Sequence, residues 1–250
     1  MSGHSKWSTI KHKKGAADAK RGRMFTVLAR AITMAAKEGG GDIDVNFGLR
    51  MAIDKAKSAN MPKDNIERAV KRGTGEDKDA ASFEKLIYEC YAPHGIAMIV
   101  EAVTDNSNRT VADLRHVLNK SGGNVGETGS VSWQFTQKSY FAFPSKGLDE
   151  DEIFMLAVDA GADDVVFSED VVEIYGQPSD FKKISDQLRL SGVQTDEADL
   201  RMFPNQEIEL DVDKTISVMK VIDSLEDLDD INQVDSNLAI TDEALEILVA

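Results

Sequence analysis

YFAFPSKGLDEDEIFMLAVDAGADDVVFSEDVVEIYGQPSDFKKISDQLRLSGVQTDEADLRMF, residues 140–203, passes through six segments of distinct hydrophobic period. The apolar run Tyr140–Phe143 reads as a strand. A helix follows over 150–160, then strands over 163–168 and 171–176, a second helix over 179–190 and a last strand over 194–203. The order is βαββαβ, the split βαβ of ferredoxin-like domains, and it predicts an α/β unit over residues 137–204.

Upstream, LIYECYAP (86–93) and GIAMIVEAVT (95–104) read as paired strands joined by a turn containing Pro93. A helix near 110–120 turns Val111, Leu114, Val117 and Leu118 inward and is stopped by Gly122-Gly123. A short strand is expected near Ser130–Phe135. Downstream, residues 205–250 offer only a helix near 213–226 and a strand near 231–239, too little for a core of their own. The segment 85–135, conversely, has strands and a single helix to cover them. Pairing the two pieces makes one α/β domain of residues 79–136 and 205–250, with 137–204 inserted into it.

The N-terminal part is helical. In MFTVLARAITMAAK (24–37), Phe25, Leu28, Ile32 and Ala35 share one face, and Arg23, Arg30 and Lys37, seven residues apart, fall on the opposite one. That row of cations is expected to face outward. Gly39-Gly40-Gly41 ends the helix. A second helix over Val45–Asn60 buries Leu49, Ala52, Ile53 and Ala56. Pro62 opens a third, which turns Ile66, Ala69 and Val70 inward and closes on Lys71-Arg72 before Gly73. Residues 21–78 are thus expected to form a three-helix domain, and 73–82, GTGEDKDAAS, a linker. The fold class is α+β: a helical bundle followed by two α/β domains. HSKWSTIKHKKGAADAKRGR (4–23) lacks either periodicity, and residues 1–20 are expected to form a mobile arm.

Charge points to a partner. The chain of 250 residues has a net charge of −15, but residues 1–78 hold 17 Lys and Arg against 9 Asp and Glu, and the other 172 hold 12 against 35. Residues 1–37 hold nine cations and one acid, Asp18. A basic element beside an acidic body suits docking on a polyanion. Lys6, Lys11, Lys13, Lys14, Lys20, Arg21 and Arg23, with Trp7 and His12 among them, suit a phosphate backbone with a base to stack on. Trp7 is alternatively an anchor of the arm on the protein's own surface. Arg30, Lys37, Lys71 and Arg72 extend the candidate nucleic-acid surface. The single cysteine, Cys90, gives no internal disulfide framework. No apolar run reaches the roughly 20 residues of a membrane span, and no apolar stretch makes the N-terminus a secretory signal. A cytoplasmic protein without a membrane partner is expected, and a monomer.

Motifs for chemistry are missing. Asp42-x-Asp44-x-Asn46 imitates an EF-hand loop, yet Phe47 replaces its glycine and Ile53 its bidentate glutamate, so Asp44 or Asn46 is read as a helix cap. The glycines of GGNVGETGS (122–130) lack the Gly-Lys-Ser/Thr of a phosphate loop and read as turn glycines. His4, His12, His94 and His116 have no co-ligands in a metal-binding spacing. Glu226, Asp227, Asp229 and Asp230 read as a solvated acidic face. No catalytic residue, metal or cofactor is expected. One loop stands out: Asp105-Asn106-Ser107-Asn108-Arg109-Thr110 lies at the carboxyl end of a strand, where binding groups collect. Ser107 or Asn108 capping the next helix accounts for part of it but leaves Arg109 unexplained, so Asp105, Asn106, Asn108 and Arg109 are candidates for a cleft site.

GHSKWSTIKHKKGAADAKRGRMFT, the GGGD after the first helix, MPKDNIERAVKRG, YECYAPHG, TDNSNRTVADLRHVLNKSGGNVGETGSVSWQF and DLDDINQVDSN together resemble the YebC/PmpR family almost end to end. Cys90 and His94 stand where that family usually has glycine. The resemblance implies three domains, one helical and two α/β, around a cleft. It implies a cytoplasmic regulator that binds promoter DNA, or a translation factor at the ribosome like the mitochondrial relatives that activate synthesis of a cytochrome oxidase subunit. A DNA-binding regulator of transcription is the first expectation and a factor contacting ribosomal RNA the second. An enzyme working in the interdomain cleft is a remote third.

Overall fold

The computed structural model describes residues 18–77 and 82–249. Helix α1 (Asp18–Gly39) begins six residues before its apolar periodicity does. Ala19, Lys20 and Arg21 are good helix formers, so the backbone is helical where the pattern alone suggested an arm up to residue 20. Leu28, Ile32 and Ala36 are buried against α2 (Phe47–Ser58) and α3 (Lys63–Gly73). Asn46 ties the helices together: its Oδ1 accepts from Leu49 N at 3.0 Å, and its Nδ2 donates to the carbonyls of Ala35 and Gly40. It is thus the cap of α2. At the α1–α3 crossing Thr33 Oγ1 donates to Ala69 O at 3.1 Å, and a Cβ on Gly73 would lie 2.4 Å from Thr33 O.

The first sheet has the order β3-β1-β2-β9, from β1 (Glu84–Tyr91), β2 (Ala97–Thr104), β3 (Asn124–Val125) and β9 (Ile231–Ser236), with every neighbour antiparallel. Helix α4 (Ser107–Ser121) and α7 (Val212–Glu226) cover one face, burying Met98, Val100, Leu114, Leu118, Val218 and Ile222 between them. The strand from residues 231–239 therefore pairs beside β2. It breaks at Asn237, which donates its N–H to Ala97 O, accepts Ala97 N on its Oδ1, and accepts Ile208 N on its carbonyl. Past the break, β10 (Leu238–Ala239) runs parallel to β8 (Ile208–Glu209). A terminal helix, α8 (Asp242–Val249), was not expected; it buries Ala244 and Leu245 in the same core.

Between these halves lie β4 (Phe135–Pro144), α5 (Glu150–Asp159), β5 (Ala162–Phe167), β6 (Val171–Gly176), α6 (Phe181–Leu190) and β7 (Glu197–Pro204). Their sheet has the antiparallel order β5-β6-β4-β7, the ferredoxin-like arrangement. Where two short strands near 130–135 and 140–143 were expected, β4 is one strand of ten residues. Its polar stretch Thr136–Ser139 stays extended because β4 is interior to the sheet, and Phe135–Ser139 pair with Leu200–Pro204. Residues 130–134 form a turn instead. The fold is α+β: a three-helix N-terminal domain and two α/β domains, the ferredoxin-like one inserted into the other.

Candidate nucleic-acid interface

The basic row of α1 is engaged by the protein itself, with only Lys37 still exposed. Arg23 Nη1 lies 2.7 Å from Asp227 Oδ1, and its Nη2 donates to Leu228 O at 3.0 Å. Arg30 Nη1 lies 3.0 Å from Asp230 Oδ1 and also donates to the carbonyl of Asp229. Lys37 Nζ donates to Ser82 Oγ at 2.9 Å and to Phe83 O at 2.8 Å. Only 19% of the Arg23 and 13% of the Arg30 side chain remain exposed. The expectation of an outward stripe is thus corrected: a polar helix face opposite a bundle core became an interface because the segment after α7 is almost purely acidic. Arg72 is also engaged, its guanidinium 4.6 Å from the centroid of the buried Phe83 ring, with Arg30 at 5.3 Å from the same ring. Lys71 is exposed at the end of α3.

The loop 105–110 belongs to the same constellation. Asn106 caps α4, its Oδ1 accepting from Arg109 N at 3.1 Å; the cap is neither Ser107 nor Asn108, and Asn108 is exposed. Arg109 spans two carboxylates: its Nη2 donates to Asp105 Oδ1 at 2.9 Å, and its Nε and Nη2 reach Asp230 at 3.1 and 2.9 Å. Asp230 is 5% exposed and also accepts from Thr104 Oγ1 at 3.1 Å and Thr110 Oγ1 at 2.8 Å. Burial opposes its charge, but the bonds from Arg109, Thr110 and Thr104 and the charge of Arg30 outweigh it, holding the carboxyl below the usual carboxylate range. The hydrogen bonds that Arg109 donates to Asp230 and Asp105 raise its own pKa in turn. Through Asp230 the cluster ties α1, the loop 105–110 and the acidic segment together. The acidic segment is therefore a solvated face only at Asp227 and Asp229, whose side chains are 66% and 76% exposed. Sequence had separated the basic helix, the acidic segment and the polar loop; Asp230 joins all three.

Lys6, Trp7, Lys11, His12, Lys13 and Lys14 lie outside the described residues. Lys20 and Arg21 fall in the first turns of α1. Among the described residues no group of three His, Cys, Asp or Glu could hold a metal ion, and no helix is long and apolar enough to cross a membrane.

Two buried ionic features went unread in the sequence. Glu89, on β1, accepts the backbone N–H groups of Gly129 at 2.6 Å, Val131, and Ser132 at 2.7 Å. Burial would raise its pKa, but these bonds prevail and lower it. Arg201, on β7, binds Asp235 of β9 and Glu197, both at 3.3 Å, where the two α/β domains meet. Burial opposes the guanidinium charge, yet the two acids raise its pKa; burial in turn raises that of Asp235. Charged residues on the faces of predicted strands were the only signal for either.

Comparison with known proteins covers both parts of the chain. Residues 5–76 match the model of the TACO1/YebC protein N-terminal domain, and residues 83–238 that of the TACO1/YebC second and third domain. Curated relatives include proteins of Halothermothrix orenii, 48% identical over 249 residues, and Dehalococcoides mccartyi, 49% identical over 246; in each comparison 98% of both chains is covered, and each relative is named a probable transcriptional regulatory protein. The crystal structure of a conserved hypothetical protein from Aquifex aeolicus superposes with a TM-score of 0.83 at 42% identity, over 90% of this chain and 93% of that one. Matched by both models and by relatives along its whole length, the chain belongs to the TACO1/YebC family.

Proposed function

We propose that this chain is a non-enzymatic regulator of transcription that binds DNA through its basic N-terminal segment. The observation that carries the reading is the segregation of charge: nine cations and one acid in residues 1–37, on a chain of net charge −15. Arg23, Arg30 and Lys37 are held by the acidic segment and by residues 82–83, so in this reading they orient α1, and Lys6, Lys11, Lys13, Lys14, Lys20, Arg21 and the exposed Lys71 make the phosphate contacts. Trp7 and His12 supply stacking and a further donor. The names of the relatives agree with regulation of transcription.

The same engagement favours RNA, including the ribosome, as a second reading. The row of cations that a groove-docked helix would use is paired internally, and a basic N-terminal segment suits folded RNA as well as duplex DNA.

Binding of the full chain to duplex DNA and to structured RNA across a salt series tests both. About six to seven phosphate contacts give a slope of log affinity on log salt of roughly −5 to −6 on duplex. Neutralising Lys11, Lys13 and Lys14 together should lower that slope by about three. An unchanged slope refutes the assignment to the arm, and the tighter of the two targets decides between DNA and RNA.

A further inference from the structure

Trp133 stands apart from every core. Its side chain is 72% exposed, on a turn that the structure fixes from several sides. The Glu89 carboxylate gathers the N–H groups of Gly129, Val131 and Ser132 beneath that turn, and Gly129 adopts a left-handed φ of +87° to allow it. Ser130 O accepts both the indole Nε1–H of Trp133 and the hydroxyl of Tyr91, each at 3.0 Å. On the far side Asn205 Nδ2 donates to Trp133 O at 3.2 Å while Asn205 Oδ1 accepts from Thr136 Oγ1 at 2.6 Å, and Asn237 Nδ2 donates to Gln134 Oε1 at 3.2 Å. A carboxylate buried to 8% exposure and a ring of carboxamides thus hold a large aromatic group in solvent in one orientation.

This geometry limits what can bind. The indole N–H is already used within the turn, so the ring offers only its π face. Of the bonded neighbours, Thr136 and Asn205 are exposed and Gln134 is half-buried, hydroxyl and carboxamide groups that can hydrogen-bond the edge of a base, whereas Asn237 is buried and only braces Gln134. None is a cation, so the site holds no phosphate of its own. A rigid aromatic face without a counter-charge, edged by amides, matches a planar, polar-edged ring that is free to leave its neighbours.

We propose that Trp133 is a stacking platform for an unpaired nucleobase, a second contact point that reads single-stranded nucleic acid on the α/β body. It rests on the nucleic-acid reading above. Labour is divided: the basic segment supplies salt-sensitive, sequence-blind attraction, and Trp133 supplies stacking that does not release ions and is therefore insensitive to salt. A duplex has no free base face, so the site favours single-stranded or looped segments.

The chain has two tryptophans, Trp7 and Trp133, so in a Trp7→Phe background Trp133 reports alone. Titrating that protein with a single-stranded 12-mer of uridines should quench its emission, and a blunt duplex should not. In the same background Trp133→Ala should weaken binding of the 12-mer about 5- to 100-fold, with the salt slope unchanged, and Trp133→Phe should restore most of the loss. Ile87, exposed on the same sheet face as Glu89, would join Trp133 in a protein-docking patch; Ile87→Ser should leave base binding unaffected. Binding with a normal slope but no quenching, or an affinity indifferent to Trp133→Ala, overturns the platform and leaves the basic segment standing. No binding of any nucleic acid, with or without salt, overturns both. A Trp133→Ala variant that changes the slope itself would show the residue acting through the fold, which also refutes the proposal.

Discussion

Replacing Asp230 by Asn tests whether the helical domain is held to the α/β body by one buried carboxylate. The substitution keeps the shape and removes the charge. It also turns an amide toward groups that are all donors: Thr104, Thr110, Arg109 and Arg30. Arg109 is nearly half exposed and keeps Asp105, so its share of the loss is about 0.5–1 kcal/mol. Arg30 loses more. Its side chain is 13% exposed, and breaking a buried pair by removing one partner generally costs about 3–5 kcal/mol. The Asp229 carbonyl and the Phe83 ring remain for it, which brings the expected total to about 3 kcal/mol. That is on the order of a hundredfold in the docking equilibrium. Amide exchange in α1 and in residues 104–110 reads it directly, without assuming that a three-domain chain unfolds in one step. The pH dependence adds a sign. The folded pKa of Asp230 is lowered, so its contribution is present above the unfolded value of about 3.9 and is lost as pH falls through the folded value. The wild type should release α1 only in acid, and Asp230→Asn should lose that acid dependence. If Arg30→Met and Asp230→Asn prove additive to within about 0.5 kcal/mol, the two do not interact and the docking argument fails.

Three further outcomes follow from the geometry. Gly73→Ala would stabilise an isolated helix by about 1 kcal/mol, but here its Cβ meets the backbone oxygen of Thr33, so a loss of about 1–3 kcal/mol in urea denaturation is expected, and stabilisation would contradict the α1–α3 crossing. Glu89→Gln trades an acceptor-only group for one with donors facing three N–H groups and should cost about 2–3 kcal/mol. Because Glu89 is also lowered, the turn's extra stability should be lost as pH falls through its folded pKa, seen as a shift in Trp133 emission in the Trp7→Phe background; emission flat across acid pH in the unsubstituted turn would argue against the carboxylate's role. Arg201→Met leaves Asp235 and Glu197 buried beside each other and should lower thermal stability by about 3–5 kcal/mol, with Asp235→Asn restoring part of it; no loss would mean the seam between the α/β domains is not held by these charges.

What the sequence disclosed and what it hid divide along a physical line. Period and caps carry local structure: the ferredoxin-like order of 140–203 and the three N-terminal helices came from the positions of apolar residues, and burial of Leu28, Ile32, Leu49 and Ile66 agrees. The shortage of core in residues 205–250 was enough to send β9 to the sheet of β1 and β2. Even α8 had a signal, with Ala244 and Leu245 inward and Thr241 Oγ1 accepting from Ala244 N at 3.4 Å.

Polar residues carry no comparable rule, because a charge on a helix face is silent about whether water or a carboxylate lies opposite. Arg23, Arg30 and Lys37 had the spacing of a free basic surface and became a domain contact. Asp230 had the look of a solvated acid and became the most crowded carboxylate at that contact. Charge complementarity was nonetheless present: a row of three cations in the most basic part of the chain, and an acidic segment at residues 226–230 that must pack somewhere. The two are about 200 residues apart, so only the fold brings them together. The same blindness covers Trp133, whose neighbours VSWQF imitate a strand until Glu89, forty residues earlier, is seen to gather the turn's N–H groups. In each case the hidden feature is a buried or engaged charge whose partners are distant in sequence. Basic rows and acidic runs of one chain are therefore each other's nearest candidates for a partner, ahead of solvent or a polyanion.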